Sequence, residues 1–240
     1  TWEDYSGTIS ETAADTEKFV YYIKITDNAG NVALFASDGV TFDTSAPVIS
    51  GIEDGKAYKP ETQVTVSDAT EVTVTLNGSF VTLNNNKFNL TSQTGSVTVE
   101  ATDAAGNKAT LVITVNEEGL LIDTENNPDG SVTVTKTNND GKIVEILVTY
   151  SDGSTDQTLN NIDGSSVVTK KDSSGKVTET TVTQADGSSV KAENKPDGTV
   201  VETKKDSSGK VAETTVTQPD GSSVKTENKP DGSTVETKKH

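Results

Sequence analysis

Two short acidic turns carry the residues best suited to bind a metal ion. Residues 27–31 read DNAGN and residues 103–107 read DAAGN. Carboxylate and amide oxygens suit Ca²⁺, so Asp27, Asn31, Asp103 and Asn107 are candidate calcium ligands. The same letters also describe a plain turn, with Gly in the left-handed region and Asp or Asn bonded to local backbone. We favour the plain turn, predict no metal and no cofactor, and expect millimolar calcium to move the melting temperature by no more than about one degree.

The composition removes most catalytic chemistry. The chain has no Cys, Met or Arg, and its one histidine is His240. A Ser–His–Asp or Cys–His nucleophile, a zinc site of Cys and His, and a bidentate Arg clamp for phosphate therefore cannot be assembled. A carboxylate pair would need a shaped, buried cleft, whereas the 37 acidic residues are spread among Thr and Lys. The sequence predicts a protein that is not an enzyme.

The net charge of −17 limits the partners of the chain. Nucleic acid and anionic membranes attract cationic surfaces, so neither is expected to bind. No apolar run approaches the roughly 18 residues of a membrane span, so direct membrane insertion is not expected either. Seven of the ten aromatic residues before residue 90 could form a sugar-stacking platform, but their alternation along predicted strands favours packing in a core. These residues are Tyr21, Tyr22, Phe35, Phe42, Tyr58, Phe80 and Phe88.

The first half of the chain reads as strands and turns. Residues 19–25 and 32–35 flank one acidic turn, and residues 97–101 and 111–115 flank the other, so each set predicts a β-hairpin. Residues 64–66, 72–76 and 80–83 alternate apolar and polar side chains, with Asn77-Gly78 as a two-residue turn. Several short strands at this spacing predict a β-sandwich.

Three motifs resemble those of the tandem bacterial Ig-like domains of Gram-positive surface proteins. They are TDNAGNV at residues 26–32, DTSAPVISG at residues 43–51 and TDAAGN at residues 102–107. The resemblance implies one Ig-like domain over residues 47–116, preceded in residues 1–46 by the last strands of another. Half a sandwich cannot cover its apolar residues, so we expect residues 1–46 to pack onto residues 47–116 or to pair with another chain through an exposed strand edge.

The second half is a repeat. Its glycines lie at positions 130, 141, 153, 164, 175, 187, 198, 209, 221 and 232, so the same pattern of spacings recurs at every third glycine, with a period of 34. Residues 172–205 and 206–239 agree at 29 of 34 positions. Such a period indicates an array in which each unit stacks on its neighbour. Each unit holds three strand-length runs separated by Asp-Gly or Ser-Gly turns; the Asp-Gly pairs could recruit calcium, but hairpin turns are the favoured interpretation.

Two architectures fit this repeat, an antiparallel meander and a β-solenoid. Residues 172–205 contain only seven apolar side chains, all Val or Ala, which would fill a solenoid interior poorly. The sequence therefore predicts an elongated, single-layer antiparallel sheet of about eleven strands, with cross-strand Lys–Glu and Thr–Thr pairs. Run 176–184 should pair with 188–195. In composition and turn spacing the repeats resemble the single-layer sheet of the Borrelia outer surface protein A family and the stalks of Gram-positive surface proteins.

The domain organisation follows from these patterns. After residues 1–46 and 47–116, residues 117–163 hold the most apolar part of the second half and are predicted to form a cap joining the sandwich to the first strands of the sheet. Residues 164–240 form the repeat stalk. The resemblance implies a non-catalytic fragment at the bacterial cell surface, acting as a spacer that presents a binding head. The alternative is an adhesin that contacts host glycan or protein through the sandwich or the flat sheet.

Overall fold

The structure is a computed structural model that describes residues 2–5, 7, 13–15 and 17–240. These residues form 23 β-strands, and among them there is no helix long and apolar enough to cross a membrane. The contacts divide the chain into two compact units, residues 1–119 and 120–240. The predicted all-β fold class, with a long antiparallel meander in place of a solenoid, is confirmed.

The first unit begins with two small strand pairs. Strands β1 (Lys18–Phe19) and β4 (Val40–Thr41) pair with each other, and β2 (Tyr22–Thr26) forms a hairpin with β3 (Val32–Ala36). All residues of β2 and β3 are exposed. The expected packing of these strands onto residues 47–116 is therefore not found, and pairing with another chain stays a prediction.

Eight further strands build two sheets that share one core. The three-stranded sheet has the order β10-β7-β5, and the five-stranded sheet has the order β6-β12-β11-β8-β9. Their bounds are β5 (Val48–Ser50), β6 (Ala57–Tyr58), β7 (Gln63–Ser67), β8 (Val72–Leu76), β9 (Ser79–Val81), β10 (Lys87–Asn89), β11 (Gly95–Asp103) and β12 (Lys108–Val115).

The core of this sandwich comes from the inward-facing residues of both sheets. Val64 and Val66 of β7 meet Val97 and Val99 of β11, and each of the four is at most 1% exposed. The intervening residues face outward, as the alternation of side chains along a strand requires. Asn77 and Gly78 both have positive φ values, 49° and 79°, which confirms the two-residue turn between β8 and β9.

The second unit is one sheet of eleven strands in chain order, each antiparallel to the next. The strands are β13 (Leu121–Asn126), β14 (Val132–Thr137), β15 (Ile143–Thr149), β16 (Thr155–Asn160), β17 (Ser166–Lys171), β18 (Val177–Thr183), β19 (Ser189–Asn194), β20 (Val200–Lys205), β21 (Val211–Thr217), β22 (Ser223–Asn228) and β23 (Thr234–Lys239). Thr183 pairs with Ser189, as predicted. Within the residues that the structure describes, no apolar side chain after Val115 is buried, so the sheet is a single layer.

The wider glycine spacing in each repeat has a structural cause. In each repeat one glycine spacing is 12 residues and the other two are 11 residues. The 12-residue spacings enclose the seven-residue strands β15, β18 and β21, and the strands on either side are one residue shorter. Each of the three takes up its extra residue in a β-bulge, where two of its residues oppose one on the preceding strand. The bulges follow Lys136, Lys170 and Lys204, which occupy the same position in successive repeats.

The turns of the sheet share one hydrogen-bond pattern. In residues 127–131 the Gly130 amide donates to the Asn127 carbonyl and the Asn127 amide donates to the Ser131 carbonyl. This is the three-residue hairpin loop whose last residue is left-handed, and Gly130 has a φ of 84°. The Asp129 carboxylate accepts both the amide and the hydroxyl of Ser131, at 3.0 and 2.7 Å. The Asp-Gly pairs therefore lie in hairpin turns, as the sequence predicts.

The apolar residues expected to form a cap lie in β13–β16 and their turns, as members of the sheet. Ile122, Ile143, Tyr150, Leu159 and Ile162 are all exposed in the structure. Their contribution to a junction with the sandwich stays a prediction.

Candidate functional site

The two predicted calcium turns lie in separate hairpins and use their acids in the same way. In the β2–β3 turn, Asp27 Oδ1 accepts the Ala29 and Asn31 amides at 2.9 Å, and Oδ2 accepts Asn31 Nδ2 at 2.7 Å. In the β11–β12 turn, Asp103 accepts the amide and the Nδ2 of Asn107, both at 2.8 Å. Both turns therefore have the internal hydrogen bonds that the plain-turn interpretation requires.

These hydrogen bonds favour the ionised carboxylates. The pKa of Asp27 lies below its usual value, chiefly because the Asn31 side chain and amide donate to it. For Asp103, burial is the largest single effect and raises the pKa, but the donors from Asn107 together with neighbouring amides outweigh it and leave the pKa lowered. Both turns are therefore charged at neutral pH.

Within the part of the chain that the structure describes, only the second turn belongs to a group of three carboxylates. Asp43, in the segment before β5, and Asp68, just after β7, each bring a carboxylate oxygen to within 4.8 Å of an oxygen of Asp103. Asp43 and Asp103 are buried, with 8% and 6% of their surface exposed. Asp43 Oδ1 accepts the Ser45 amide at 3.2 Å, whereas Asp43 Oδ2 is buried with no hydrogen-bond partner.

Asp43 and Asp68 were not among the calcium ligands predicted from the sequence. Both are far from Asp103 along the chain, and only the closing of the two sheets brings the three together. The sequence holds one sign of their local structure: each Asp is followed two positions later by Ser or Thr, which can complete an Asx turn. Asp43 accepts the Ser45 amide, and Asp68 accepts the Thr70 amide at 2.9 Å and its hydroxyl at 3.1 Å.

The predicted core position of the aromatic residues is correct for some and wrong for others. Phe88 is buried and Tyr58 packs against the same cluster. Tyr22, Phe35, Phe42 and Phe80 are exposed, with Phe80 at 82%. The first three lie outside the sandwich, and Phe80 lies on the outer face of the edge strand β9. Alternation along a strand therefore identified two faces, but not whether a second sheet covers one of them.

A shallow polar groove of about 590 Å³ lies beside β7, β10 and the segment that joins β9 to β10. Its side chains include the amides of Gln63, Asn84, Asn85 and Asn89. Amides supply both donors and acceptors, as sugar hydroxyls require.

Charged side chains on the sheet are arranged in repeating clusters. Glu179 contacts Lys191 at 2.9 Å and Lys170 at 3.8 Å; in the next repeat, Glu213 contacts Lys225 at 2.7 Å and Lys204 at 2.9 Å. These pairs confirm the predicted cross-strand Lys–Glu contacts. Hydrogen bonds from Lys225 and Lys229 lower the pKa of Glu227 to about 2. Because these pairs are partly exposed to solvent, each adds little stability, and they chiefly fix which residues face one another.

Successive clusters lie on opposite faces of the sheet. Lys170 is directly opposite Glu179, which is opposite Glu193, which is opposite Val201, and residues directly opposite share a face. Lys204 is an odd number of positions from Val201 on the same strand, so it projects from the other face. The cause is the odd number of strands in a repeat. After three antiparallel strands the chain runs in the opposite direction, so equivalent residues of successive repeats project from opposite faces of the sheet.

No protein-family model matches the sequence, and no curated protein matches it. Among solved structures, the chain is similar to the surface layer protein SbsC, domains 1–6, with 14% sequence identity and a TM-score of 0.19. The match covers 94% of this chain and 53% of that one, so this chain spans about half the length of the structure it matches.

Proposed function

We propose that this protein is a non-catalytic structural spacer at the bacterial cell surface, in which the repeat sheet presents a binding head. The observation that carries the proposal is the eleven-strand single-layer sheet, in which each strand bonds only to its neighbours in sequence. Such an array changes its length by whole repeats without disturbing the others. Three strands at about 4.8 Å each add roughly 14 Å per repeat.

The electrostatics of the sheet support a spacing role. The Lys and Glu side chains within each repeat neutralise one another, and successive clusters face opposite ways. Neither face therefore carries a continuous stripe of one charge that would attract an oppositely charged partner. This arrangement suits a segment that separates two ends better than one that captures a ligand.

The proposal is tested by screening the labelled full chain against a glycan array and a panel of host extracellular-matrix proteins. A spacer should show no saturable binding to any of them. Saturable binding would favour the adhesin alternative. In that case Asn84→Ala with Asn89→Ala should weaken glycan binding if the sandwich groove is the contact, whereas Asn126→Ala with Asn160→Ala in the sheet should leave it unchanged.

A second role, self-association, is favoured by the β2–β3 hairpin. Ile23 lies directly opposite Phe35, and Ile25 is on the same face, all three between 55 and 57% exposed. A two-stranded hairpin is marginal in water by itself. We propose that this face packs against the same face of a second copy of the chain, a face-to-face contact in place of the strand-edge pairing expected from the sequence.

Sedimentation equilibrium tests this association. The full chain should show a concentration-dependent mass that reaches twice that of the monomer, and Ile23→Thr with Phe35→Thr should abolish the dependence because it removes the apolar face. Thr98→Ser with Thr110→Ser, on β11 and β12 of the sandwich, is the matched control and should dimerise as the parent does. A parent chain that is monomeric up to about 100 μM, well above a micromolar Kd, would contradict the proposal.

A further inference from the structure

Three carboxylates converge at one end of the sandwich from distant parts of the chain. Asp43 belongs to the segment between β4 and β5, Asp68 follows β7, and Asp103 ends β11. One oxygen from each lies within 4.8 Å of the others. Within the described part of the chain, none of the three forms an ion pair with a lysine. Up to three negative charges therefore face one another without a compensating cation from the protein.

The hydrogen bonds around this cluster leave one buried oxygen without a donor. Asp68 Oδ1 accepts Thr70, both Asp103 oxygens accept Asn107, and Asp43 Oδ1 accepts Ser45. Asp43 Oδ2 has no hydrogen-bond partner and is buried, as is Asp43 as a whole, which is only 8% exposed. A buried anionic oxygen without a donor is costly, because it loses its hydration and gains nothing in return. Its position among two other carboxylates indicates that a cation replaces the missing donor.

We propose that Asp43, Asp68 and Asp103 bind one Ca²⁺ ion. Calcium takes oxygen ligands at about 2.3–2.6 Å, so two oxygens on opposite sides of the ion are about 4.8 Å apart, and the three carboxylates fit within one coordination sphere. Magnesium binds at about 2.0–2.1 Å in strict octahedral geometry and holds its waters more tightly, which makes it the weaker occupant. Water molecules complete the sphere.

The ion would fasten the segment before β5 to the sandwich. Asn107, which bonds to Asp103, also donates its Nδ2 to the Asp43 carbonyl at 3.1 Å. On the other side of Asp43, Asp15 accepts the amide of Thr44 at 2.6 Å. The Asn107 bond joins the Asp43 backbone to the β11–β12 turn, whereas the Asp15 bond stays within residues 1–46, so calcium would add a second, ion-dependent attachment to the sandwich. The proposal replaces the sequence-based expectation that calcium has no effect.

Calorimetric titration of the metal-free full chain with CaCl₂ tests the proposal. We expect one ion per chain with a Kd of about 10⁻⁴–10⁻³ M, the range of extracellular calcium modules, and a melting temperature several degrees higher in about 5 mM calcium. Equal magnesium should bind at least tenfold more weakly. Hydrogen exchange of residues 43–46 should slow when calcium is added, which locates the ion at this segment.

Two variants separate binding from a structural role. Asp43→Asn should weaken calcium binding at least tenfold and, in chelator, should melt no lower than the parent because it removes an unpartnered buried charge. Asp27→Asn is the control. Asp27 occupies the same place in its DxAGN turn as Asp103 does in the second turn, but it is not part of a group of three carboxylates, so this variant should bind calcium as the parent does. Absence of binding at about 5 mM calcium, unchanged binding by Asp43→Asn, or loss of binding by Asp27→Asn would each overturn the proposal.

Discussion

A chain that lacks residues 172–205 is expected to fold with an eight-stranded sheet that is shorter by three strands. The deletion joins Lys171 to Asp206, and the DSSGK turn after the junction is identical to the one it replaces. Lys170 should then pair with Glu213 as it now pairs with Glu179, because the two glutamates occupy the same position in successive repeats. The new contact therefore repeats an existing one, and the rest of the sheet needs no rearrangement.

Spin labels measure the shortening, and the absence of native Cys makes labelling at introduced Cys residues simple. The backbones of Thr135 in β14 and Thr226 in β22 are eight strand spacings apart, about 38 Å, and the deletion should bring them to five spacings, about 24 Å. Because removal of one repeat exchanges the faces, the Thr226 label should then project from the face opposite to that of the Thr135 label. Labels at Thr124 and Thr169, which precede the deletion, are the control and should stay about 19 Å apart in both chains. An unchanged or broad distance for the first pair would contradict the additive, strand-by-strand sheet.

Leu90→Ala is expected to destabilise the sandwich by about 2–5 kcal/mol. Leu90 is 0% exposed and belongs to the core cluster of the sandwich, so its truncation leaves a cavity that the surrounding strands cannot fill. The matched substitution Leu34→Ala should cost less than about 0.5 kcal/mol, since Leu34 is 63% exposed in the β2–β3 hairpin.

Urea titrations monitored through amide NMR signals measure the unfolding midpoints of the sandwich and of the sheet separately. The midpoint for the β11 amides should fall in Leu90→Ala and stay unchanged in Leu34→Ala. The midpoint for the β22 amides should be the same in all three chains, because the core cluster contains residues of the sandwich and none of the sheet. A parallel fall of both midpoints in Leu90→Ala would show that the two units unfold together.

The repeat sheet was the most predictable part of the molecule. Glycine spacing located its ten turns, because only glycine adopts the left-handed conformation of each hairpin loop without strain, and the shortage of Leu, Ile and aromatic side chains excluded an enclosed interior. Even here, the exchange of faces between Lys170 and Lys204 became visible only from the strand register.

The sandwich and its candidate site show what sequence could not supply. Alternation predicted strands such as β7 and β11 from local residues, because side-chain direction along a strand is a local property. Whether Phe80 or Phe88 is covered depends on which sheet lies opposite, and that is decided by contacts between residues far apart in sequence. The meeting of Asp43 and Asp68 with Asp103 has the same cause. The sequence by itself therefore determined the all-β fold and the turns, whereas the packing of the two sheets created the three-carboxylate site.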